Sequence, residues 1–367
     1  MITPWDVSDN IDYKKTMENF GIKPINEIIK NIENPHYLMR RGIIFGHRDF
    51  ERIIDAMKNK KKFAVVSGMM PSGRMHFGHK MIVDQLLYYQ DYNAEIHIPI
   101  ADMEAYAARG MDFETTKKLA VEEYITNYIA LGLDPEKINV YLQSKYNKVK
   151  DLAYILSKRT NLSEMRAIYG FGGETNIGHL FAPLIQVADI LHPQLEDDLK
   201  TSRGIPVVVP VGIDQDPHIR LTRDIANRAK EYKFIPPSST YHRFMTGLLG
   251  GKMSSSKPDT AIFLTDDEKS VKKKIMSCKT GGRSTLEEHK KLGGIPEECV
   301  VYELYAYHLI KDDKELLEIY EKCKKGELTC GKCKKYCYEK IVEFLKDLHE
   351  KREAAKEIAY KIINNQL

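Results

Sequence analysis

The stretch GMMPSGRMHFGHK, residues 68–80, leaves one apolar run, KFAVVS, and enters another, MIVDQLLYYQ. The first run reads as a strand and the second as a helix from about His79 to Asp91. Glycine and proline between a strand and a helix let backbone approach a phosphate closely, and the helix N-terminus supplies N–H donors and a positive field. The stretch matches neither G-x-G-x-x-G nor a Walker loop, so the usual dinucleotide and P-loop readings fail. His76 and His79 stand three apart and project to one face of the helix start. There they can donate hydrogen bonds to phosphoryl oxygens that gain charge in a transition state. Two surface histidines near a helix cap would show the same spacing.

Outward from this stretch, AEIHIPIAD and INVYLQS read as further strands, and IPVVVPVG as a nearly all-apolar strand covered on both faces. DFETTKKLAVEEYITNYIALG between them is an amphipathic helix, with Asp112 as its N-cap and Gly132 as its stop. Residues 148–200 are mostly helical, and DPHIRLTRDIANRAK is another helix. The alternation predicts an α/β fold: a doubly wound, Rossmann-like parallel sheet with a helical insertion at about residues 105–200. Residues 1–58 read as a mixed polar extension with helices around INEIIKNIE and RDFERIIDAMK. The α/β domain spans 59–258, and 259–367 read as an all-α, lysine-rich C-terminal domain.

With 367 residues the chain exceeds what one core usually holds. Hydrophobic content of 43% and charged content of 29% are those of an ordinary globular protein, and the net charge of +4 permits a nucleic-acid partner without requiring one. The lysine runs at 58–62, 269–274 and 322–335 are either solvated faces or contacts to a phosphate backbone. MITPWDVSDN lacks the pattern of a signal peptide, and no run approaches the ~20 apolar residues of a membrane span, so a cytoplasmic protein with no membrane partner is expected.

A second element bears on the first. GGKMSSSK, residues 250–257, is a Gly-Gly hinge followed by Lys252, three hydroxyls and Lys257. A mobile cationic loop can close over a triphosphate and supply point charges as pyrophosphate departs. A polar linker has similar composition, but the pairing of both elements around one α/β domain is far rarer.

HFGH is similar to the HIGH signature of class I aminoacyl-tRNA synthetases, and KMSSS to their KMSKS loop. RRGIIFGHRDF (40–50), VGIDQDPHIRLTRD (211–224) and CKTGGRSTLEEHKKLGG (278–294) resemble tryptophanyl-tRNA synthetases of the archaeal and eukaryotic type, and the resemblance runs from PWDV onward. It implies activation of L-tryptophan by ATP and Mg²⁺, transfer to tRNA(Trp), a homodimer, and a C-terminal domain that binds the anticodon. By resemblance Gly68, Pro71, His76, Gly78 and His79 line ATP, Gly212 and Asp214 meet its ribose, and Lys252, the Met253 backbone, Ser254 and Lys257 serve its phosphates and adenine. The family pattern has lysine where this chain has Ser255, which shifts work to Lys252 and Lys257.

For the amino acid, the resemblance assigns Gln186 and Gln215 to the α-ammonium or backbone, and Asp189 to the indole N–H. A helix aspartate in a local ion pair would look the same. Tyrosyl enzymes share the fold and the aspartate but add a tyrosine where this chain has Val66, which argues against tyrosine as substrate. Glu104 is either a pocket residue or an exposed carboxylate at a strand end. Cys323, Cys330 and Cys333 form C-x6-C-x2-C, with Cys299 upstream and Cys337 just after. That arithmetic suits an iron–sulfur or zinc site, or thiols packed between helices. Some tryptophanyl enzymes carry a [4Fe–4S] cluster on nearly this spacing; here the first gap is one residue longer.

Overall fold

A computed structural model describes residues 12–364, so the leading segment MITPWDVSDN lies outside the described residues. Among the described residues seven strands form one sheet: β1 (Lys23–Pro24), β2 (Ile44–Arg48), β3 (Ala64–Val66), β4 (Glu95–Ile100), β5 (Ile138–Leu142), β6 (Val207–Gly212) and β7 (Ser238–His242). Their order is β1-β2-β7-β6-β3-β4-β5. The five strands from β7 to β5 are parallel, and β1 and β2 add an antiparallel edge. The winding reverses between β3 and β6, which makes the loops after these two strands the switch point where doubly wound sheets bind ligands.

The runs KFAVVS, AEIHIPIAD, INVYLQS and IPVVVPVG, each expected to be a strand, hold β3, β4, β5 and β6. Residues 1–58, expected as an extension, instead supply β1 and β2 to the sheet. INEIIKNIE is not a helix. It forms two 3₁₀ turns, Ile25–Glu27 and Ile29–Asn31, that bury Ile25, Ile28 and Ile32. Apolar residues three and four apart satisfy short turns as well as an α-helix, and Pro24 stands before the first turn where no side chain caps it. The predicted amphipathic helix begins as expected, with the Asp112 carboxylate accepting from the Thr115 N–H at 2.8 Å. It runs as Phe113–Leu119, a wider π-helical segment Ala120–Ile125, and Thr126–Ala130.

The chain divides into two compact units. One comprises residues through Ser72, Ile82–Arg243 and the chain from Ala355; the other comprises Gly73–Met81 and Phe244–Ala354. The division therefore falls after Arg243 rather than Pro258, and it assigns the histidine stretch to the same unit as GGKMSSSK. In the first unit, helix Ile177–Leu191 buries nine residues, and its Leu184, Ile185, Val187 and Ala188 pack with Tyr141 of β5 and Leu152 and Leu156 of helix Asn147–Ser157. Each large apolar side chain so buried contributes about 1.5–3 kcal/mol. This packing sets Asp189 beside the carboxyl end of β5. The second unit holds helices Glu268–Ser277, Leu286–Leu292, Val300–Leu304 and Asp313–Lys324 and most of the long helix Cys330–Asn364. No helix among the described residues is long and apolar enough to cross a membrane.

Candidate active site

Backbone pairing builds the first candidate group, which lies wholly in the second unit. His76 bridges Phe263, the Phe77 N–H donates to the Ile262 carbonyl at 3.1 Å, and the Leu264 N–H to the Met75 carbonyl at 2.9 Å. Arg74, which carried no assignment in the sequence, clamps this join. Its guanidinium donates to Thr265 Oγ1 at 2.7 and 2.9 Å and to Asp266 at 3.1 Å, and it covers the Phe263 ring at 4.4 Å. The imidazoles of His76 and His79 stack with centroids 3.9 Å apart. A Cβ on Gly78 would stand 2.9 Å from the His76 ring, so a larger residue there would force the ring to shift.

The hydrogen bonds also decide the protonation state of both histidines. The Gly78 N–H donates to His76 Nδ1 at 3.1 Å, and the His76 N–H donates to His79 Nδ1 at 3.2 Å. A ring nitrogen that accepts carries no proton, so each imidazole is neutral with its proton on Nε2. Burial, His79, Lys252 and His308 all hold the His76 pKa well below its ordinary value; burial and then Lys252 lower that of His79 to about 4. Each ring thus carries one N–H and no positive charge at neutral pH.

Lys252 supplies that charge. The loop carrying it is a tight hairpin: Thr246 bridges Lys252, and the Met253 N–H donates to the Met245 carbonyl at 3.0 Å. Gly250 and Gly251 turn it with φ of 99° and 69°, which only glycine adopts without strain. Lys252 Nζ sits 3.8 Å over the Phe244 ring. Ser255, which replaces the usual lysine, donates from Oγ to the Arg74 carbonyl at 3.0 Å and so ties the loop to the histidine stretch. Ser254 pairs with Ser256 at 2.9 Å, and Lys257 is exposed.

The second group lies in the first unit at the switch point. After β3, Gly68 passes Pro99 so closely that a Cβ would meet its ring at 2.9 Å, and Pro71 is buried. After β6, whose last residue is Gly212, the turn Ile213–Gln215 carries a buried Asp214 and a half-buried Gln215. The neighbouring Asp216 has a different task. It accepts from Arg48 at 2.9 and 3.0 Å and from Tyr241 Oη at 2.5 Å, and pairs with Arg220 at 3.1 Å. Arg48 also donates to the Phe20 and Gly21 carbonyls, which explains its place in RRGIIFGHRDF.

One helical turn separates Gln186, half-buried, from Asp189, which is 1% exposed. Asp189 is not in an ion pair among the contacts described. Its Oδ1 accepts from Tyr141 Oη at 2.8 Å and its Oδ2 from Gln143 Nε2 at 2.6 Å. Burial raises its pKa to about 7, against the lowering effect of these two donors; Asp102 and Glu104 push it further up. Neither Tyr141 nor Gln143 carried an assignment in the sequence. Val66 packs among Ala64, Ile190, Val207, Val209 and Ile219.

The cysteines gather in the second unit. Cys333 feels Cys299, Cys323 and Cys330, and Cys323 feels Cys299 and Cys330, while Cys337 is fully buried. Burial, then neighbouring thiols, pushes Cys323 up to about 11; Cys333 reaches about 12 despite its hydrogen bond to Tyr305. A Cβ on Gly282 or Gly294 would meet the Cys330 or Cys323 sulfur at 2.6 or 2.7 Å. Among the described residues no group of three or more His, Cys, Asp or Glu is placed to hold a metal ion, so neither the zinc nor the iron–sulfur expectation gains support here.

The switch point of a parallel sheet in the first unit, and in the second a KMSSS hairpin tied to the HFGH stretch, are each features of a class I aminoacyl-tRNA synthetase. Residues 57–346 match the family described as tRNA synthetases class I (W and Y), and the chain belongs to that family. It is 76% identical over its whole length to the tryptophan–tRNA ligase of Methanocaldococcus jannaschii, 98% of which is covered. The corresponding ligase of Methanopyrus kandleri is 51% identical, with 96% of this chain and 94% of that protein covered. The crystal structure of tryptophanyl-tRNA synthetase from Aeropyrum pernix superposes with a TM-score of 0.90 at 45% identity, covering 98% of each chain.

Proposed function

We infer that the chain is a tryptophan–tRNA ligase, which activates L-tryptophan with ATP to tryptophanyl-adenylate and pyrophosphate and then charges tRNA(Trp). The identity of 76% along the whole chain to a protein of that name carries the choice of amino acid. The reaction is in-line attack of the tryptophan carboxylate on the α-phosphate, which needs positioning and charge stabilisation more than a general base. His76 and His79 donate neutral N–H groups to phosphate oxygens, and Lys252 supplies the positive charge as pyrophosphate leaves. Mg²⁺ bound to the nucleotide would neutralise part of its phosphate charge. In the first unit Asp214 accepts from a ribose hydroxyl, while Gln186 and Gln215 orient the tryptophan ammonium. Glu104 acts on Asp189 through its charge.

Asp189 and its donors read the indole. Asp189→Ala raises the KM for tryptophan or lowers kcat/KM tenfold or more, about 1.4 kcal/mol or above. Steady-state pyrophosphate exchange measures this, and unchanged kinetics contradict the assignment. Because burial raises its pKa to about 7, the Asp189 carboxyl is neutral below that pH and charged above it. The kcat/KM for tryptophan therefore falls as pH drops through about 7, and this limb disappears in Asp189→Asn. The depressed histidine pKa values leave no second limb near 6.5.

The helices from Glu268 to Asn364 form the tRNA-binding part in this reading, supported by the lysines at 269–274 and 322–335. Two further assignments are a homodimer, tested by sedimentation, and a cytoplasmic location, which a tRNA substrate supports. The finer reading of the cysteines is a [4Fe–4S] cluster on Cys299, Cys323, Cys330 and Cys333. It rests on their spacing in the sequence, which suits four thiolate ligands. Anaerobic purification followed by absorption and metal analysis tests it; colourless, metal-free protein with full charging activity contradicts it.

A further inference from the structure

We propose that Gln143 is the residue that accepts the indole N–H, through its Oε1, and that Asp189 is a positioning residue acting through it. This rests on the tryptophan reading above and changes which atom meets the substrate.

Gln143 is the first residue past the carboxyl end of β5, on the side of a parallel sheet where ligands bind. It is 4% exposed, and its Nε2 donates to Asp189 Oδ2 at 2.6 Å. A carboxylate only accepts, so the amide must present its nitrogen to Asp189 and turn its oxygen away. That oxygen is buried and has no hydrogen-bond partner among the described residues. A buried, unpaired carbonyl is destabilising, and an apolar side chain of the same shape would avoid that cost. Keeping an amide here is explained if a ligand N–H completes it. Asp189, in contrast, already has a donor on each oxygen.

The backbone beside Gln143 is held rigidly, as a specificity residue requires. The Ser144 N–H donates to Asp102 Oδ1 at 3.0 Å and the Ser144 hydroxyl to Oδ2 of the same carboxylate. Lys150 Nζ donates to the Ser144 carbonyl at 2.8 Å, and the Tyr146 N–H to the Gln143 carbonyl at 3.3 Å. Asp102 is thereby assigned as an anchor of this turn. The side chain is fixed from the other direction by Asp189, whose own place is set by the Tyr141 hydroxyl.

The test compares tryptophan with 3-(3-benzothienyl)alanine, which keeps the bicyclic shape and replaces N–H by sulfur, in pyrophosphate exchange by wild type, Gln143→Met and Asp189→Ala. Gln143→Met conserves volume and removes the acceptor. It is expected to raise the tryptophan KM tenfold or more with kcat nearly unchanged, to leave the analogue's KM alone, and so to bring the tryptophan-to-analogue ratio towards one. A Gln143→Met enzyme that keeps wild-type discrimination, while Asp189→Ala loses it, overturns the proposal and leaves the tryptophan reading intact. Wild-type enzyme without tryptophan-dependent exchange overturns that reading instead. Should Gln143→Met fail to fold, a structure of the wild-type protein with tryptophan decides. An indole nitrogen about 2.7–3.2 Å from Gln143 Oε1 supports the proposal, and the same distance to an Asp189 oxygen with Oε1 unpaired overturns it.

Discussion

Lys252→Ala lowers kcat for tryptophan-dependent pyrophosphate exchange by roughly 10²–10³-fold, the loss expected when one preorganised group facing developing charge is removed. The geometry explains the size. The lysine is held by a glycine-turned hairpin, half-buried over Phe244, and its charge depresses both neighbouring histidines. Those histidines are neutral donors, so they cannot replace the missing charge. Ser255, in the position of the usual second lysine, is tied to the Arg74 carbonyl and offers none either. Lys257 is exposed, and Lys257→Ala changes kcat by less than about tenfold, the scale of a solvent-screened charge. The KM for tryptophan moves little in either variant, because the lysine acts on the phosphates. Lys252→Ala with kcat within a few-fold of wild type would falsify this role.

Asp216→Ala destabilises the first unit by roughly 3–5 kcal/mol, the cost of breaking a buried ion pair by removing one partner. Asp216 is fully buried and Arg48 nearly so, and deletion leaves the guanidinium without its bidentate acceptor. The Tyr241 hydroxyl and Arg220 lose the same acceptor. The damage spreads because Arg48 is also the donor to the Phe20 and Gly21 carbonyls, which links the first described helix, Tyr13–Phe20, to the sheet edge. In a unit of this size the first melting transition falls by on the order of 10 °C. Asp216→Asn keeps the shape and part of the hydrogen bonding, so it loses less. Scanning calorimetry reads the shift; a melting temperature unchanged in Asp216→Ala removes Asp216 from the structural role.

Much of the fold could be read in the sequence where burial on both faces leaves a continuous apolar signature. VVVPV and FAVV are central parallel strands and announce themselves. β7, SSTYH, does not, because it buries hydroxyls and a histidine rather than aliphatic side chains. β1 and β2 flank INEIIKNIE, whose isoleucine spacing imitates a helix, and are short enough to leave little alternation of their own. The signature histidines and Lys252 were legible as motifs, and the structure adds their tautomers and the Arg74 clamp. Within IDQD, adjacency alone cannot separate Asp214 from Asp216. Only the position of Arg48, 168 residues away in the chain, makes Asp216 the anchor. Gln143 lay inside a run read wholly as strand, INVYLQS. The available signal was its position one residue beyond the carboxyl end of a parallel strand.

Amino-acid-dependent ATP–pyrophosphate exchange across the twenty amino acids tests the central claim most directly. Tryptophan alone is expected to support exchange above background. Exchange driven by tyrosine, or by no amino acid at all, would contradict the account.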